Sequence, residues 1–430
     1  MLTLMIAIFV LGYIAIALEH PIRIDKAASA LITGVLVWTL FVFSGASQHL
    51  IEKELLHHLS EISSILFFLL GAMTIVELVD AHEGFSIITD KIKTKNKVKL
   101  LWIISVLTFF FSAALDNLTT SIVMISLLRK LIDDKYDRWF FAGVVIISAN
   151  AGGAWSPIGD ITTTMLWIGG QLTTMTILKT LIVPSLVTML VPLLVLTFTL
   201  KGEVTRPNNM QALEHYTNPT TPFERNLIFF LGVAGLLFVP IFKTLTHLPP
   251  FMGMMLSLGV LWAVTELIHK SKNEEDKSNL SVIGVLRKID TASVLFFLGI
   301  LLAVAGLQSA EILADMAESL NQWFGGDVYL INIVIGLLSS IVDNVPLVAG
   351  SMGMYEIASV GDFAVDGTFW QFLAFCAGTG GSALIIGSAA GVAVMGLEKI
   401  DFVWYLKKIS ILALIGYFAG AGTYILMQSI

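Results

Sequence analysis

The chain has 430 residues, of which 56% are hydrophobic and 13% charged. A water-soluble domain carries about 25% charged residues, so a disordered chain, a nucleic-acid binder and an ordinary soluble enzyme fit poorly; a polytopic membrane protein fits the mean hydropathy of +0.85. The net charge of −7 decides little, because in a membrane the placement of charge counts for more than its sum, and the single Cys376 excludes a disulfide framework and any multi-cysteine metal site.

A helix needs roughly 20 apolar residues to cross a bilayer. Residues 1–18 are apolar, without a basic start or a small-residue cleavage pattern, and read as a crossing helix, not a signal peptide. Further spans are expected over 27–43, 62–79, 177–200, 225–242, 250–268, 291–308 and 402–427, with amphipathic surface helices over 49–61 and 310–324 and a solvated loop over 270–281. Two apolar stretches are too short for two crossings, 98–131 and 329–357. Each carries an Asp-Asn pair at its centre and suits a re-entrant hairpin of two half-length helices. A glycine-interrupted helix follows each hairpin, over 139–170 and 369–397.

Ten crossings and two hairpins place 22 of the 25 basic residues on one face, Arg23 and Lys26 among them, and leave Lys53, Lys179 and Lys243 on the other. The basic face is then cytoplasmic and both termini extracytoplasmic. The implied location is a bacterial-type inner membrane.

The halves 1–200 and 225–430, joined by a linker over 201–224, repeat at a nearly constant offset. Asp116-Asn117 matches Asp343-Asn344, Gly152-Gly153 matches Gly380-Gly381, and Gly159 matches Gly387. Each half holds five crossings, an odd number, so the second starts from the opposite face. The fold expected is all-α, with two inverted repeats and two broken helices. That combination is characteristic of secondary transporters with a site near the midplane.

An ionisable residue at membrane depth costs roughly 2.5–3.5 kcal/mol even on a lenient scale. Capping explains one such Asp-Asn pair; two at symmetric positions point to function. Asp116, Asn117, Asp343 and Asn344 are therefore candidate ligands. Asn150 opens the first broken-helix loop and Asp160 closes it, followed by Thr162 and Thr163. Capping and binding are compatible at Asp160. In the second half Ser388 takes its place and Ser382 lies nearby, so the acid is not duplicated. Oxygen donors suit hard cations, and one carboxylate binds a cation or a proton but not both. The cargo expected is a hard cation against H⁺, with Asp116, Asp160 and Asp343 as the charged ligands, no resident cofactor and no nucleic-acid partner. An anion carrier for arsenite or a carboxylate is the alternative, although acidic hairpin tips argue against it. An intramembrane aspartyl protease built on Asp116 and Asp343 is less favoured: it lacks Gly-x-Gly-Asp and gives the repeat no purpose.

The stretches Ala114-Leu-Asp-Asn-Leu-Thr-Thr, Ser148-Ala-Asn-Ala-Gly-Gly-Ala-Trp-Ser-Pro-Ile-Gly-Asp-Ile-Thr-Thr, Asp343-Asn-Val-Pro-Leu and Gly378-Thr-Gly-Gly-Ser resemble the NhaD-type sodium/proton antiporters. These sit in the superfamily that also holds arsenite pumps and dicarboxylate carriers. The resemblance implies Na⁺ or Li⁺ export against H⁺ uptake. It carries binding roles to Asp116, Asn117, Asn150, Asp160, Thr162, Thr163, Asp343 and Asn344, and less cleanly to Ser382 and Ser388. It also implies a homodimer whose scaffold holds a mobile transport domain, and a protein that is not an enzyme.

Overall fold

The computed structural model describes residues 1–45, 47–89, 91–207, 220–270, 272–341 and 343–429. Most of it is α-helix, and among the described residues β pairing is limited to isolated bridges such as Asn96 with Glu203. A helix satisfies its backbone N–H and C=O groups internally, which hydrocarbon demands. Among the described residues eight helices are long and apolar enough to cross a bilayer. The protein is an all-α, multi-pass membrane protein.

The chain opens with α1 (Leu2–Ala17), the single turn α2 (Glu19–Ile22) and α3 (Lys26–Phe43). α4 (Gln48–Ala81) then runs 34 residues unbroken. The surface helix expected over 49–61 and the span over 62–79 are thus one element, because no glycine or proline stands at their junction to end the helix. After the turn α5 (Ser86–Thr89), α6 (Lys97–Leu115) and α7 (Asn117–Leu131) form a hairpin whose turn is the single residue Asp116. Its arms, 19 and 15 residues, are longer than the half-length helices expected.

α8 (Lys135–Ala154) and α9 (Ile161–Ile168) are the two parts of the first broken helix, and α10 (Thr174–Thr199) follows. Most of the expected linker, 208–219, lies outside the described residues. The second half comprises α11 (Pro222–Thr246), α12 (Pro250–Ile268), the short α13 (Glu274–Leu280) and α14 (Val282–Leu286), α15 (Thr291–Ser309) and the amphipathic α16 (Ile312–Phe324). The second hairpin is α17 (Val328–Leu338) with α18 (Asn344–Met354). The second broken helix is α19 (Thr368–Gly380) with α20 (Ala389–Glu398).

The last span differs from expectation. It is cut at Ile409 into α21 (Phe402–Lys408) and α22 (Ser410–Gln428). Lys407 and Lys408 end α21 and resist entry into hydrocarbon. Tyr405, fully buried, fixes the short helix by donating its hydroxyl to the Ser382 carbonyl at 2.9 Å.

Two groups of helices result. α1, α3, α4, α11, α12 and α15 pack on one another, and α6 to α10 pack with α17, α19, α20 and α22, while α18 lies between α9 and α15. Within the second group one packing scheme occurs twice. A Cβ on Gly152 would collide with the backbone of Phe109 in α6, and one on Gly380 with the backbone of Gly336 in α17. Ser112 Oγ donates to the Ala149 carbonyl at 2.6 Å, and Ser339 Oγ to the Ala377 carbonyl at 2.9 Å. In both cases glycine lets a broken helix touch its hairpin backbone to backbone.

Candidate functional site

Four helices begin at the hairpin tips and the gaps of the broken helices: α7, α9, α18 and α20. Their N-caps are Asp116, Asp160, Asp343 and Ser388. Asp116 Oδ1 accepts from Thr119 N–H at 2.8 Å, Asp160 Oδ1 from Thr162 N–H at 2.9 Å and Asp343 Oδ1 from Val345 N–H at 3.2 Å. Ser388 Oγ accepts from Gly391 N–H at 3.2 Å. Capping is real at all four. Four helix N-termini are four concentrations of positive partial charge, which steady the three carboxylates. Each cap leaves oxygen lone pairs free for other partners.

Those partners form a buried network. The Asn117 amide nitrogen donates to Asp160 Oδ2 at 2.6 Å and to Asn150 Oδ1 at 3.1 Å. Asn150 donates to Ser382 Oγ at 2.9 Å and Ser388 Oγ at 3.0 Å. The Thr162 hydroxyl donates to Asp160 Oδ1 at 2.6 Å. Both broken helices and the first hairpin therefore meet through Asn117, Asn150, Asp160, Thr162, Ser382 and Ser388, all buried. Thr163 Oγ1 is buried beside them without a hydrogen-bond partner, as are Ser148 Oγ, Thr120 Oγ1 and Ser121 Oγ. Sequence reasoning named Thr163 but not the other three, although each lies within four residues of a named ligand.

The three acids do not close on one point. Among the described residues no three His, Cys, Asp or Glu side chains group as a metal-binding cluster. Asp160 lies inside the network. Asp116 stands outside it, with its second oxygen on the Thr119 hydroxyl at 2.8 Å, and borders a small space of about 30 Å³ shared with Phe68 and Met73 of α4 and Phe297 of α15. Asp343 contacts Lys26 Nζ at 3.4 Å. Asn344 is buried at the start of α18. Electrostatically the acids still form a set, since the charges of Asp116 and Asp343 both reach Asp160.

Lys26 is a residue whose partner the sequence did not reveal. At the end of a span it counted as one more basic residue of a membrane face. The adjacent Asp25 was the available signal: Asp25 caps α3 through Ala27 N–H at 2.8 Å and leaves the lysine to another partner.

Two larger cavities lie at opposite ends of α15. One, about 370 Å³, is bordered by His58, Glu61, Met165, Gln308 and Met352. The other, about 200 Å³, is bordered by Glu19, Asp25, Lys26, Leu118, Asp290 and Ala389. The two cavities flank α15, in a fold of paired hairpins and broken helices. That is the anatomy of a membrane transporter.

Comparison with known proteins agrees. Residues 13–370 match the family model described as citrate transporter. Sodium/proton antiporter 1 of Arabidopsis thaliana is 47% identical over 428 residues, 99% of this chain and 72% of the relative. Sodium/proton antiporter 2 of the same plant is 45% identical, covering 99% of both chains. The Na⁺/H⁺ antiporter NhaD of Vibrio cholerae is 30% identical over 98% of this chain and 91% of its own. The chain belongs to the citrate transporter family and, within the ion transporter superfamily, to its NhaD type.

Proposed function

We propose that the protein is a secondary active transporter, not an enzyme, that exchanges Na⁺, and Li⁺ as its closest chemical relative, for H⁺. The carrying observation is the position of the Asn117 amide nitrogen. It sits between Asp160 Oδ2 and Asn150 Oδ1, where a positive partner belongs. Turning that amide by half a turn presents its oxygen and frees the other two, so three oxygens face one point. Thr162, Thr163, Ser382 and Ser388 complete an all-oxygen shell of the kind hard cations take. Asp116 and Asp343, with Asn344, reach the same region when the hairpin tips close on it. A proton on Asp160 removes the negative charge that holds the cation, which couples the two ions without any resident cofactor.

An anion substrate, suggested by the family's description, is disfavoured by the caps. A helix N-terminus is a ready anion site, but here three of the four are already filled by the protein's own carboxylates. The names of the relatives and the oxygen shell both support cation exchange.

The same reading takes the two halves as inverted repeats, the basic face as cytoplasmic and both termini as extracytoplasmic, in a plasma-type membrane. It takes the α1, α3, α4, α11, α12, α15 group as the scaffold of a homodimer. The direct test is purified protein in proteoliposomes with a pH-sensitive dye, challenged with Na⁺, Li⁺, K⁺ and citrate. Dequenching by Na⁺ and Li⁺ that Asp116→Asn abolishes supports the reading. A response to citrate alone, or full exchange by Asp116→Asn, refutes it.

A further inference from the structure

Lys26 belongs to α3 of the scaffold group, while Asp343 caps α18 at the tip of the second hairpin. Their contact at 3.4 Å is an ion pair from the scaffold group to α18, the helix that lies between α9 and α15. Among the described residues no other ion pair engages Asp116, Asp160 or Asp343. The pair is largely enclosed, with 20% of the Lys26 side chain and 13% of the Asp343 side chain accessible. Lys26 is also placed with care. Its ammonium lies 4.5 Å from the centroid of the Phe296 ring on α15, a favourable cation–π distance, and its backbone N–H donates to Glu19 at 3.3 Å. Tyr13 of α1, whose hydroxyl is buried without a hydrogen-bond partner, lies within the electrostatic reach of Asp343. The cavity of about 200 Å³ reaches Lys26 from a rim carrying Glu19, Asp25 and Asp290. An ammonium that leaves Asp343 therefore has three carboxylates on this rim to receive it.

We propose that Lys26 is a built-in competitor for the cation site: its ammonium neutralises Asp343 in the sodium-free carrier and must be displaced before Asp343 turns to Na⁺. This deepens the exchange reading above and rests on it. The reasoning is one of charge. Asp343 at depth needs a positive partner, and a single carboxylate oxygen holding an ammonium does not serve a sodium ion at full strength. Because the competitor is fixed to the scaffold and the carboxylate to the hairpin, its displacement also releases the hairpin tip from α3. Sodium binding is thereby linked to freedom of movement, and a hairpin that has lost its sodium is drawn back to the scaffold. Lys26 acts through Asp343 and is a positioning residue, not a ligand.

The experiment compares wild type, Lys26→Gln, Lys26→Arg, Asp343→Asn and the Lys26→Gln/Asp343→Asn double variant in proteoliposomes, with ²²Na⁺ binding to the detergent-solubilised proteins as a readout independent of turnover. Removing the competitor lowers the sodium KM, and the dissociation constant, about tenfold while turnover falls. Lys26→Arg keeps the charge and stays within about twofold of wild type in sodium affinity. In the Asp343→Asn background Lys26→Gln changes neither constant. A sodium affinity unaltered by Lys26→Gln, in a preparation whose wild type exchanges Na⁺ for H⁺, overturns the proposal and leaves the exchange reading standing. The same holds if the double variant shows the full Lys26→Gln effect. Absence of exchange in wild type overturns the exchange reading itself. If Lys26→Gln does not fold, the proposal stands or falls on Lys26→Arg and Lys26→Met by the same binding criterion.

Discussion

The Asn117 side-chain amide donates to Asp160 Oδ2 at 2.6 Å, so the tip of the first hairpin is held to the N-cap of the broken helix α9. One short bond joins two elements that sequence alone lists separately. Asp160→Asn keeps shape and capping but removes the charge, and sodium-driven exchange should fall at least a hundredfold while detergent-solubilised protein stays monodisperse. Asn117→Ala should lower sodium affinity by roughly tenfold, the equivalent of one good oxygen contact. Wild-type kinetics from Asp160→Asn would remove the network from the transport path.

Direct competition between Na⁺ and H⁺ for a carboxylate predicts a pH-dependent affinity. The apparent sodium KM should fall as pH rises from 6 toward 9, by at most about tenfold per pH unit, with little change in maximal rate. A KM that stays flat across that range, measured by initial rates of dye dequenching, would mean that proton and cation do not share a group.

The fully buried carboxylate of Glu398 at the end of α20 is gripped by Arg129 Nε and Arg138 Nε, each at 2.6 Å, with the Trp139 indole donating to the Glu398 carbonyl at 2.9 Å. This clamp ties α20 to the ends of α7 and α8. Glu398→Gln strands two cations against an uncharged amide and should cost about 3 kcal/mol, toward the low end for a broken buried pair because Arg129 is half exposed. The check is a lower melting temperature with sodium affinity unchanged.

At the ends of α4 and α12, His82 and His269 face each other, Nε2 to Nε2, at 3.3 Å with both rings buried. His82 Nδ1 gives its proton to the Leu78 carbonyl at 2.7 Å, so its Nε2 accepts from His269. Burial holds both rings below the usual histidine range, His269 down to about 4. Both therefore fold neutral, and the unfolded chain binds more protons between pH 6.5 and about 4. Stability is full above pH 6.5 and should decline as pH falls through that window. A His82→Asn/His269→Asn variant should flatten the decline in a thermal-shift series; an equal slope in variant and wild type would exonerate the pair.

Gly152→Ala and Gly259→Ala form a matched pair. The first puts a methyl into the backbone of Phe109, whereas the second meets nothing within 4 Å. Overpacking at Gly152 should cost about 1–3 kcal/mol, and Gly259→Ala should be neutral or slightly stabilising because alanine favours helix. Melting temperatures of the two variants decide the point.

How far the sequence led depended on contrast. Asp116, Asp160 and Asp343 stood out because an ionisable side chain within an apolar run has few explanations, and the glycines at 152 and 380 because they recur. Lys26 had no such contrast: a lysine at a helix end satisfies the rules of membrane topology without any partner. The division of the last span at Ile409 was hidden for a similar reason, since lysines at 407 and 408 fit the edge of one long helix as well as the end of a short one. The different partners of Asp116 and Asp343, Thr119 and Lys26, were beyond reach, because the second depends on which element packs beside the hairpin tip and not on neighbours in sequence.

Asp116 has φ 79° and ψ 160°, a region that is nearly glycine's alone and costs other residues about 1–3 kcal/mol. A hairpin turned in a single residue would be built more comfortably with no side chain at its tip. Selection for robustness alone would favour replacement there, and the substitution that relaxes the backbone is the one that deletes the carboxylate. The tip is therefore a place where durability and transport pull in opposite directions. Asp116→Gly is the variant in which a more relaxed turn should accompany a silent carrier.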